Sequence, residues 1–343
     1  MSNPSSNKPE KPLRVGVIGC GRMGRLHVRV YSQMPGVKVM GVFDASADAA
    51  AAVANEFKAP AIKNLDDLFP QVDAVTIAVP TVFHLSVARQ CIERKIACLI
   101  EKPLAKDAAE ARQIVELAQK HNVTVQVGHI ERFNPAIRAL TRLEIKPRFL
   151  ETIRISPMTF RSIDVGVVLD MMIHDIDIVL RLANSTVSKI EAVGVSVIGD
   201  VEDICNARLT FANGCVANLT ASRMAMNTDR RLRVFSPDAY VAIDYQKRQG
   251  SVIRRNGNIE AVRNAAASIR SGQVQDTSKL NFQDLVHVEN LQIEEVEPLR
   301  AELDAFVEAV ITRSKPVVTA EDGLHAVEVA AGIVQAIGPS TLP

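Results

Sequence analysis

A triad of glycines near the start of the chain restricts the folds that this sequence can adopt. Gly19, Gly21 and Gly24 follow the apolar run Leu13–Ile18 in the spacing G-x-G-x-x-G, and a helical pattern begins after them. In a strand–turn–helix unit the first glycine permits a tight turn, the second lets the backbone approach a pyrophosphate, and the third lets helix and strand pack closely. The free N–H groups at the start of the helix then face the phosphates. The motif therefore predicts a dinucleotide-binding domain.

An acidic residue ends the next apolar run. Asp44 follows Val37–Phe43 and lies 20 residues after Gly24, at the place where a carboxylate bonds the ribose 2′-hydroxyl of a dinucleotide. Ala45 and Ser46 come next, and neither side chain accepts a 2′-phosphate as an arginine does. We therefore expect NAD as the cofactor, with NADP the less favoured alternative. A glycine-rich turn without a ligand is the weaker interpretation, because position, spacing and Asp44 agree.

Apolar runs and helical patterns alternate from Leu13 to about residue 130. The apolar runs are Leu13–Ile18, Val37–Phe43, Ala74–Val79, Ala97–Ile100 and Val123–Val127. The helical stretches are Met23–Gln33, Ala47–Phe57, Phe83–Glu93 and Ala108–His121. Continuous Val/Ile-rich runs are typical of parallel strands buried on both faces. The alternation predicts a doubly wound Rossmann domain over residues 13–130, preceded by a disordered tail at residues 1–12.

The regular alternation of apolar runs and helical stretches ends near residue 130. Helices are predicted at Asn134–Leu143, Val168–Leu182, Leu299–Thr312 and Glu321–Ala336, and strands at Ile204–Phe211, Cys215–Ser222, Arg231–Phe235 and Tyr240–Tyr245. Asn213-Gly214 is a hairpin signal, and Thr319 with Asp322 resembles a capping box. The pattern predicts an α+β domain over residues 131–343, built on an open, mostly antiparallel sheet. Residues 246–282 are polar and weakly patterned, which indicates an insertion or a mobile loop.

Polar residues follow two further strands of the predicted parallel sheet. Pro80, Thr81 and His84 come after the third run, and Glu101-Lys102-Pro103 comes after the fourth. Ligands of open α/β sheets bind outside the carboxyl ends of the strands, although His84 alone fits a solvent-facing helix start equally well. The expected cofactor-binding residues are Gly19, Gly21, Arg22, Met23, Gly24, Asp44, Pro80, Thr81, His84, Glu101 and Lys102.

A third set of polar residues lies on one predicted helix of the second domain. Asp170, His174 and Asp177 have i, i+4 and i+7 spacing, which places all three on one helical face. An Asp–His pair is suited to general acid–base work, because histidine titrates near neutral pH and a carboxylate orients it. The alternative is an ordinary helix whose acidic residues lie near its N-terminus. No His/Cys spacing here indicates a metal, so no metal is expected.

The motifs occur together in the order found in one enzyme family. Gly19-x-Gly21-x-x-Gly24, Pro80-x-x-x-His84, Glu101-Lys102-Pro103 and Asp170-x-x-x-His174-x-x-Asp177 resemble the glucose–fructose oxidoreductase/inositol dehydrogenase family. The resemblance implies a Rossmann domain, a C-terminal domain with an open sheet, and NAD(P)-dependent oxidation or reduction of sugars, cyclitols or nucleotide-linked sugars. It also implies Lys102, Asp170 and His174 as catalytic residues. The family's glycine-rich stretch before the aspartate is replaced here by residues 164–169, which alters the shape of the pocket.

Within that family the chain resembles the subfamily of UDP-N-acetylglucosamine 3-dehydrogenases. The resemblance rests on residues 128–135 and 172–177 and on Glu297-Pro298-Leu299 before Glu302-Leu303. It implies oxidation of the 3-hydroxyl of that UDP-sugar to a ketone. Seven basic against four acidic residues between Glu131 and Val165 leave a local charge of +3. Guanidinium groups bind phosphate in a bidentate manner, although any single arginine here equally fits a solvated face. The expected substrate-binding residues are Lys102, Arg132, Asn134, Arg161, Asp170 and His174.

Composition excludes several other classes of function. A formal net charge of +1 over 343 residues argues against a nucleic-acid binder, and the absence of Trp argues against a base-stacking platform. Five cysteines without a C-x-x-C motif indicate a reducing compartment, so a cytoplasmic protein without membrane association is expected. An open sheet with one uncovered face favours a homodimer or homotetramer.

Three alternatives to this function remain open at the level of sequence. They are a dehydrogenase of a related UDP-uronic acid, cyclitol or aldose; a non-catalytic NAD sensor; and a reductase that runs in the opposite direction. The sequence also leaves open whether His174 or Lys102 is the immediate base.

Overall fold

The computed structural model describes residues 11–159, 165–255, 267–271 and 286–338. The chain divides into two compact units: Met1–Phe133 with Val296–Ala331, and Asn134–Glu295 with Gly332–Pro343. The segment Val296–Ala331 therefore belongs with the first unit, whereas the sequence placed it in the second domain. Its helix supplies Leu299, Leu303 and Phe306 to the hydrophobic core of the first unit, and helical periodicity alone does not reveal which sheet a helix covers. Residues 1–10 of the predicted tail lie outside the described residues.

The first unit contains a parallel sheet, as the alternating pattern predicts. Its strands are β1 (Leu13–Ile18), β2 (Val37–Phe43), β3 (Ala74–Ile77), β4 (Ala97–Glu101) and β5 (Val125–Gly128). Their order is β2-β1-β3-β4-β5, and every neighbouring pair is parallel. The Rossmann fold predicted for this region is confirmed.

The helices of the first unit come from both ends of its sequence. They are α1 (Arg22–Tyr31), α2 (Ala47–Phe57), α3 (Leu65–Leu68), α4 (His84–Glu93), α5 (Ala108–His121), and, after the second unit, α8 (Pro298–Thr312) and most of α9 (Ala320–Ile337). The predicted capping box is present: Asp322 N–H donates to Thr319 Oγ1 at 3.1 Å, and Thr319 N–H donates to Asp322 Oδ2 at 3.0 Å. The chain also forms a bridge between Gln126 and Thr319, so the start of α9 is tied to β5.

The second unit is built on an eight-stranded sheet in the order β13-β12-β11-β10-β6-β9-β8-β7. Its strands are β6 (Phe149–Ile155), β7 (Val187–Val195), β8 (Ile204–Phe211), β9 (Val216–Ser222), β10 (Asp229–Phe235), β11 (Ala239–Asp244), β12 (Gln249–Arg255) and β13 (Val286–Asn290). Only β6 and β9 pair in parallel among these described strands, so the predicted open, mostly antiparallel sheet is confirmed. Four of the strands, β6, β7, β12 and β13, were not predicted.

Two helices precede β7 in the described part of this unit. They are α6 (Pro135–Thr141) and α7 (Ile173–Ala183), and a π-helical turn at Val168–Met172 leads directly into α7. Asp175 of α7 makes a buried bidentate ion pair with Arg154 of β6, at 2.8 and 2.9 Å, which anchors the helix to the sheet. No helix among the described residues has the length and apolar character that a bilayer span requires.

Candidate active site

The glycine motif forms the turn between β1 and α1, and two of its glycines are required by the chain itself. Gly19 has φ +99°, and a Cβ there would lie 2.4 Å from the Ala78 carbonyl oxygen. A Cβ on Gly24 would lie 1.7 Å from the Gly19 carbonyl oxygen. Any larger side chain at either position would therefore displace the backbone, which agrees with the motif's need for a tight turn at the first glycine and close helix–strand packing at the third.

Gly21 differs from the other two glycines. A Cβ added there meets no atom within 4 Å, and its φ of −66° is open to any residue. The protein's own packing therefore does not require a glycine at this position, whereas a pyrophosphate that approaches the backbone does. Gly21 is also the N-cap of α1 and no side chain caps that helix, so the N–H groups of its first turn are available to an anion.

Asp44 lies directly after β2, on the same edge of the sheet as the glycine turn. Its Oδ2 accepts from Cys20 N–H at 2.7 Å and its Oδ1 accepts from Ser46 N–H at 2.8 Å. These bonds fix the orientation of the carboxylate and leave each oxygen a further lone pair. The geometry fits a group that accepts a hydrogen bond from a ribose hydroxyl.

His84 joins the two polar loops that follow β3 and β4. Its ring is 1% exposed, so the solvent-facing alternative is wrong. Nε2 lies 3.0 Å from the Val79 carbonyl oxygen and Nδ1 lies 2.9 Å from the Pro103 carbonyl oxygen. Burial lowers the pKa of this imidazole, against the opposing effect of its hydrogen bonds to the backbone. With both ring nitrogens on backbone carbonyls, His84 supports the shape of the cofactor edge.

The Glu-Lys-Pro segment ends β4, and the Lys102–Pro103 peptide bond is cis. Lys102 is half-buried. Pro80 is exposed, and Thr81 is half-buried in a short 3₁₀ turn, Thr81–Phe83. Val82 and Phe83 in that turn are 58% and 54% exposed. The sequence prediction passed over these two apolar residues, which flank the edge where the cofactor is expected.

Glu101, the last residue of β4, is largely buried and contacts a histidine of α1. It is 9% exposed, and its Oε1 lies 2.9 Å from Nε2 of His27 on α1. Sequence reasoning missed His27, although its position three residues after Gly24 places it on the inward face of α1. It also gave no role to Glu302 of α8, because the pattern presents this residue as an ordinary charged position in an amphipathic helix.

Asp170 and His174 lie in the described part of the second unit, within one continuous helical segment. Asp170 belongs to the π-helical turn and His174 to the first turn of α7, and both are half-buried. Asp177 is 1% exposed, so its carboxylate is less accessible than the other two. The wider π-helical turn replaces the regular spacing that the sequence prediction assumed.

A network of polar contacts fixes the start of this segment. Arg223 Nε donates to Asp203 Oδ1 at 2.6 Å, and its Nη1 donates to the Val165 carbonyl oxygen at 2.7 Å. Glu202 accepts from Val168 N–H at 3.1 Å. Burial opposes ionisation of Asp203, but hydrogen bonds from two backbone N–H groups and Arg223 outweigh it and lower its pKa. The ion pair therefore anchors the loop from which Asp170 and His174 follow.

Two of the predicted substrate-binding residues outside this segment, Arg132 and Asn134, make contacts within the fold. The Arg132 side chain is 7% exposed and its Nη1 donates to Asp322 Oδ2 at 3.1 Å, within the capping box of α9. Asn134 Oδ1 accepts from Ala136 N–H at 3.0 Å and so caps α6. Arg161 lies outside the described residues.

Comparison with known proteins identifies related chains over both units. Residues 13–129 match the family described as "Oxidoreductase family, NAD-binding Rossmann fold", and residues 154–241 match "GFO/IDH/MocA C-terminal domain". A UDP-N-acetylglucosamine 3-dehydrogenase of Acidithiobacillus ferrooxidans is 40% identical over 234 residues, covering 68% of this chain and 74% of the relative. An inositol 2-dehydrogenase of Corynebacterium glutamicum is 34% identical, covering 53% and 57%.

Solved structures resemble the chain over almost its whole length. The structure of the Acidithiobacillus ferrooxidans UDP-N-acetylglucosamine 3-dehydrogenase has a TM-score of 0.84 at 32% identity, covering 95% of this chain and 98% of the other. A levoglucosan dehydrogenase in complex with NADH and levoglucosan has a TM-score of 0.80 at 19% identity, covering 96% and 98%. The second likeness shows a shared fold.

Proposed function

The chain belongs to the GFO/IDH/MocA family of NAD-binding oxidoreductases, and from this we propose that it oxidises the 3-hydroxyl of UDP-N-acetylglucosamine to a 3-keto sugar. The observation that carries the proposal is the 40% identity to a UDP-N-acetylglucosamine 3-dehydrogenase over 68% of the chain. Half-buried side chains in each unit support it: Lys102 in the first unit, and Asp170 with His174 in the second, are groups of the kind that take part in proton transfer.

The glycine turn and Asp44 are the residues that would hold the cofactor. Gly21 leaves room in which a pyrophosphate would fit, the uncapped start of α1 would offer N–H groups to it, and the Asp44 carboxylate would accept a hydrogen bond from the ribose. When bound, the nicotinamide supplies the acceptor for the hydride that leaves the sugar carbon. The protein's task is to orient the sugar and to remove the hydroxyl proton.

We assign removal of that proton to His174 or Lys102. Both have nitrogen atoms that accept a proton in their neutral forms, and Asp170 precedes His174 by one helical turn. A carboxylate in that place stabilises the imidazolium that forms as the proton is taken up. His84 is not assigned this role, because its ring is buried and both nitrogens face backbone carbonyls.

We propose a preference for NAD over NADP on the basis of the carboxylate of Asp44. A 2′-phosphate placed there would meet a fixed carboxylate, and like charges repel. We expect kcat/KM for NAD to exceed that for NADP by at least about tenfold, since about 1.4 kcal/mol of repulsion suffices for that ratio. Asp44→Ser should lower the ratio of kcat/KM for NAD to kcat/KM for NADP. An unchanged ratio would show that Asp44 does not select between the two cofactors.

A substrate panel with matched variants tests the proposal. UDP-N-acetylglucosamine, UDP-glucuronic acid, myo-inositol and glucose are each incubated with enzyme and NAD, and NADH formation is followed. Turnover with the first compound alone supports the proposal. Turnover only with another compound establishes a different sugar dehydrogenase, and NAD binding without turnover on any compound favours the sensor.

Two variants at the proposed base positions complete this test. Lys102→Ala and His174→Ala should each lower turnover by at least about a hundredfold, the usual contribution of a general acid–base group. Lys106→Ala and His325→Ala are controls, because both side chains are exposed on the first unit. Near-normal turnover in both site variants contradicts the assignment.

We also propose that the protein is a cytoplasmic homodimer or homotetramer. The five cysteines are all free and buried, which suits a reducing compartment. Val193 and Val195 on one face of β7 are 68% and 36% exposed, and apolar side chains on an open sheet face favour association. Light scattering after gel filtration measures the mass, and a monomer at micromolar concentration would contradict the proposal.

A further inference from the structure

Three titratable side chains meet in the interior of the first unit. They are His27 on α1, Glu101 at the end of β4 and Glu302 on α8, with exposures of 0%, 9% and 0%. One nitrogen or oxygen atom from each lies within 4.8 Å of the other two. The proposed function uses neither His27 nor Glu302, so these buried groups require a separate explanation.

The hydrogen bonds of this buried trio are incomplete. Glu101 Oε1 faces His27 Nε2 at 2.9 Å, and His27 Nδ1 lies 3.3 Å from Thr76 Oγ1. Thr76 Oγ1 in turn lies 3.0 Å from the hydroxyl of Tyr31. Both carboxyl oxygens of Glu302 have no hydrogen-bond partner among the described residues. A charged carboxylate buried in this way is very unfavourable, whereas a protonated one has a donor to offer.

The Glu101 carboxylate is an acceptor close to that donor, since one oxygen of each side chain lies within 4.8 Å of the other. Two ionised carboxylates at this separation repel, and a shared proton relieves the repulsion. Burial raises the pKa of Glu302, and the charge of Glu101 raises it further. Burial, with the charge of Glu101, also raises the pKa of Tyr31, so the phenol stays neutral. Among the described residues, the titratable groups that these contacts place near Glu302 are Glu101, His27 and Tyr31.

We propose that Glu302 carries a proton and, together with His27, holds the Glu101 carboxylate in place, which makes His27 and Glu302 positioning residues for Lys102. The inference rests on the proposed function, because it takes Lys102 as a residue of the reaction. Glu101 and Lys102 are consecutive at the end of β4, so the orientation of one peptide fixes the start of the next side chain. On the other side, a Cβ on Gly128 of β5 would lie 3.2 Å from Glu101 Cδ, so the glycine lets the Glu101 side chain pack close to the backbone of β5.

Substitutions at position 302 separate this role from simple packing. Glu302→Gln keeps the shape, the neutral charge and a donor, so kcat should stay close to that of the wild type. Glu302→Leu keeps the volume but loses the donor, and kcat should fall about tenfold to a hundredfold, since a small displacement of a catalytic group has effects of that size. The Kd for NAD should stay the same in both variants, because the glycine turn and Asp44 are untouched.

Phe306→Leu is the matched control. Phe306 lies four residues after Glu302 on α8 and is fully buried in the core, so its truncation lowers stability without altering the trio. Its kcat should match that of the wild type. Equal loss of kcat in Glu302→Gln and Glu302→Leu, or in Phe306→Leu, would overturn the positioning role.

A spectroscopic measurement tests the proton directly and does not depend on activity. The infrared difference spectrum between the wild type and Glu302→Gln should show the C=O stretch of one protonated carboxyl group in the wild type. Its absence would overturn the proposal, and so would a stoichiometric divalent metal in the purified wild type that Glu302→Gln lacks. Lys102→Ala is assayed in parallel. Full turnover in this variant would contradict the role of Lys102 in the reaction, whereas the infrared band would still show whether Glu302 carries a proton.

Discussion

Replacement of Gly21 by alanine tests whether the glycine turn is built for a ligand. Gly19 and Gly24 are fixed by the chain, because a Cβ on them would lie 2.4 and 1.7 Å from backbone oxygens. Gly21 has no such neighbour within 4 Å. A methyl group there would enter only the space that we assign to the pyrophosphate. The substitution therefore separates folding from cofactor binding.

The expected effects of Gly21→Ala on folding nearly cancel. The φ of −66° suits alanine, and the loss of backbone freedom in the unfolded chain stabilises the protein by about 0.4–1 kcal/mol. Alanine is a poorer N-cap than glycine, which costs about 0.5–1 kcal/mol. The unfolding free energy should therefore change by less than about 1 kcal/mol. Gly24→Ala, by contrast, should lose about 1–3 kcal/mol or more, because the helix and the turn must move apart.

The assay combines two measurements on the same variants. Urea denaturation gives the unfolding free energy, and calorimetric titration gives the Kd for NAD. Gly21→Ala should raise the Kd at least about tenfold, equivalent to about 1.4 kcal/mol, with wild-type stability. A wild-type Kd in a well-folded Gly21→Ala protein would refute the placement of the pyrophosphate.

Three further substitutions follow from the buried charges. Arg154→Ala leaves Asp175 buried without its bidentate partner and should lower the unfolding free energy by about 3–5 kcal/mol. A loss below about 1 kcal/mol in urea denaturation would contradict this and would show that water replaces the guanidinium. Asp203→Asn removes the partner of Arg223. The pKa of the Asp203 carboxyl group is lowered in the folded state. Its ionised form therefore stabilises the protein above the usual pKa of 3.8, and this stabilisation is lost as the pH falls through the folded-state pKa. Asp203→Asn should lack this pH-dependent part of the unfolding free energy. The pKa of Glu302 is raised in the folded state from the usual 4.5, so the folded chain keeps a proton that the unfolded chain releases. Stability should fall above about pH 4.5 with a slope near 1.4 kcal/mol per pH unit for one proton, and a slope equally present in Glu302→Gln would contradict the assignment.

The first unit was predictable because its signals are local. β1, β2, α2 and α5 have the bounds that the apolar runs and helical patterns predict. Continuous apolar runs arise when a strand is buried on both faces, and they contrast clearly with amphipathic helices. The roles of Gly19 and Gly24 also follow from the spacing alone, since close packing at a strand–helix turn has few solutions.

The second unit was less predictable because its strands are half-exposed. β7 alternates between exposed and half-buried residues, including Lys189 and Glu191, so its pattern resembles a polar loop. The start of α7 was predicted as regular helix, and nothing in its composition distinguishes a π-helical turn. The helix α8 was predicted with nearly the correct bounds, but its place in the first unit depends on contacts with residues almost 300 positions earlier.

At the candidate site, the structure differs most from the sequence prediction where residues distant in sequence come together. His27 and Glu302 come together only in the folded unit, and each alone resembles an ordinary helical residue. Arg132 and Asn134 were predicted to bind substrate from local charge and resemblance, and the structure gives them capping contacts. Local charge excess does not distinguish an arginine that binds a ligand from one that binds a nearby aspartate.

The proposed reaction removes a hydride from C3 of the sugar in UDP-N-acetylglucosamine. The most direct measurement uses substrate deuterated only at C3, with NAD, and mass spectrometry of the reduced cofactor. We expect one deuterium in each reduced cofactor and a 3-keto product by NMR. Reduced cofactor without deuterium, or no reduction of NAD by a protein that binds both compounds, would contradict the account.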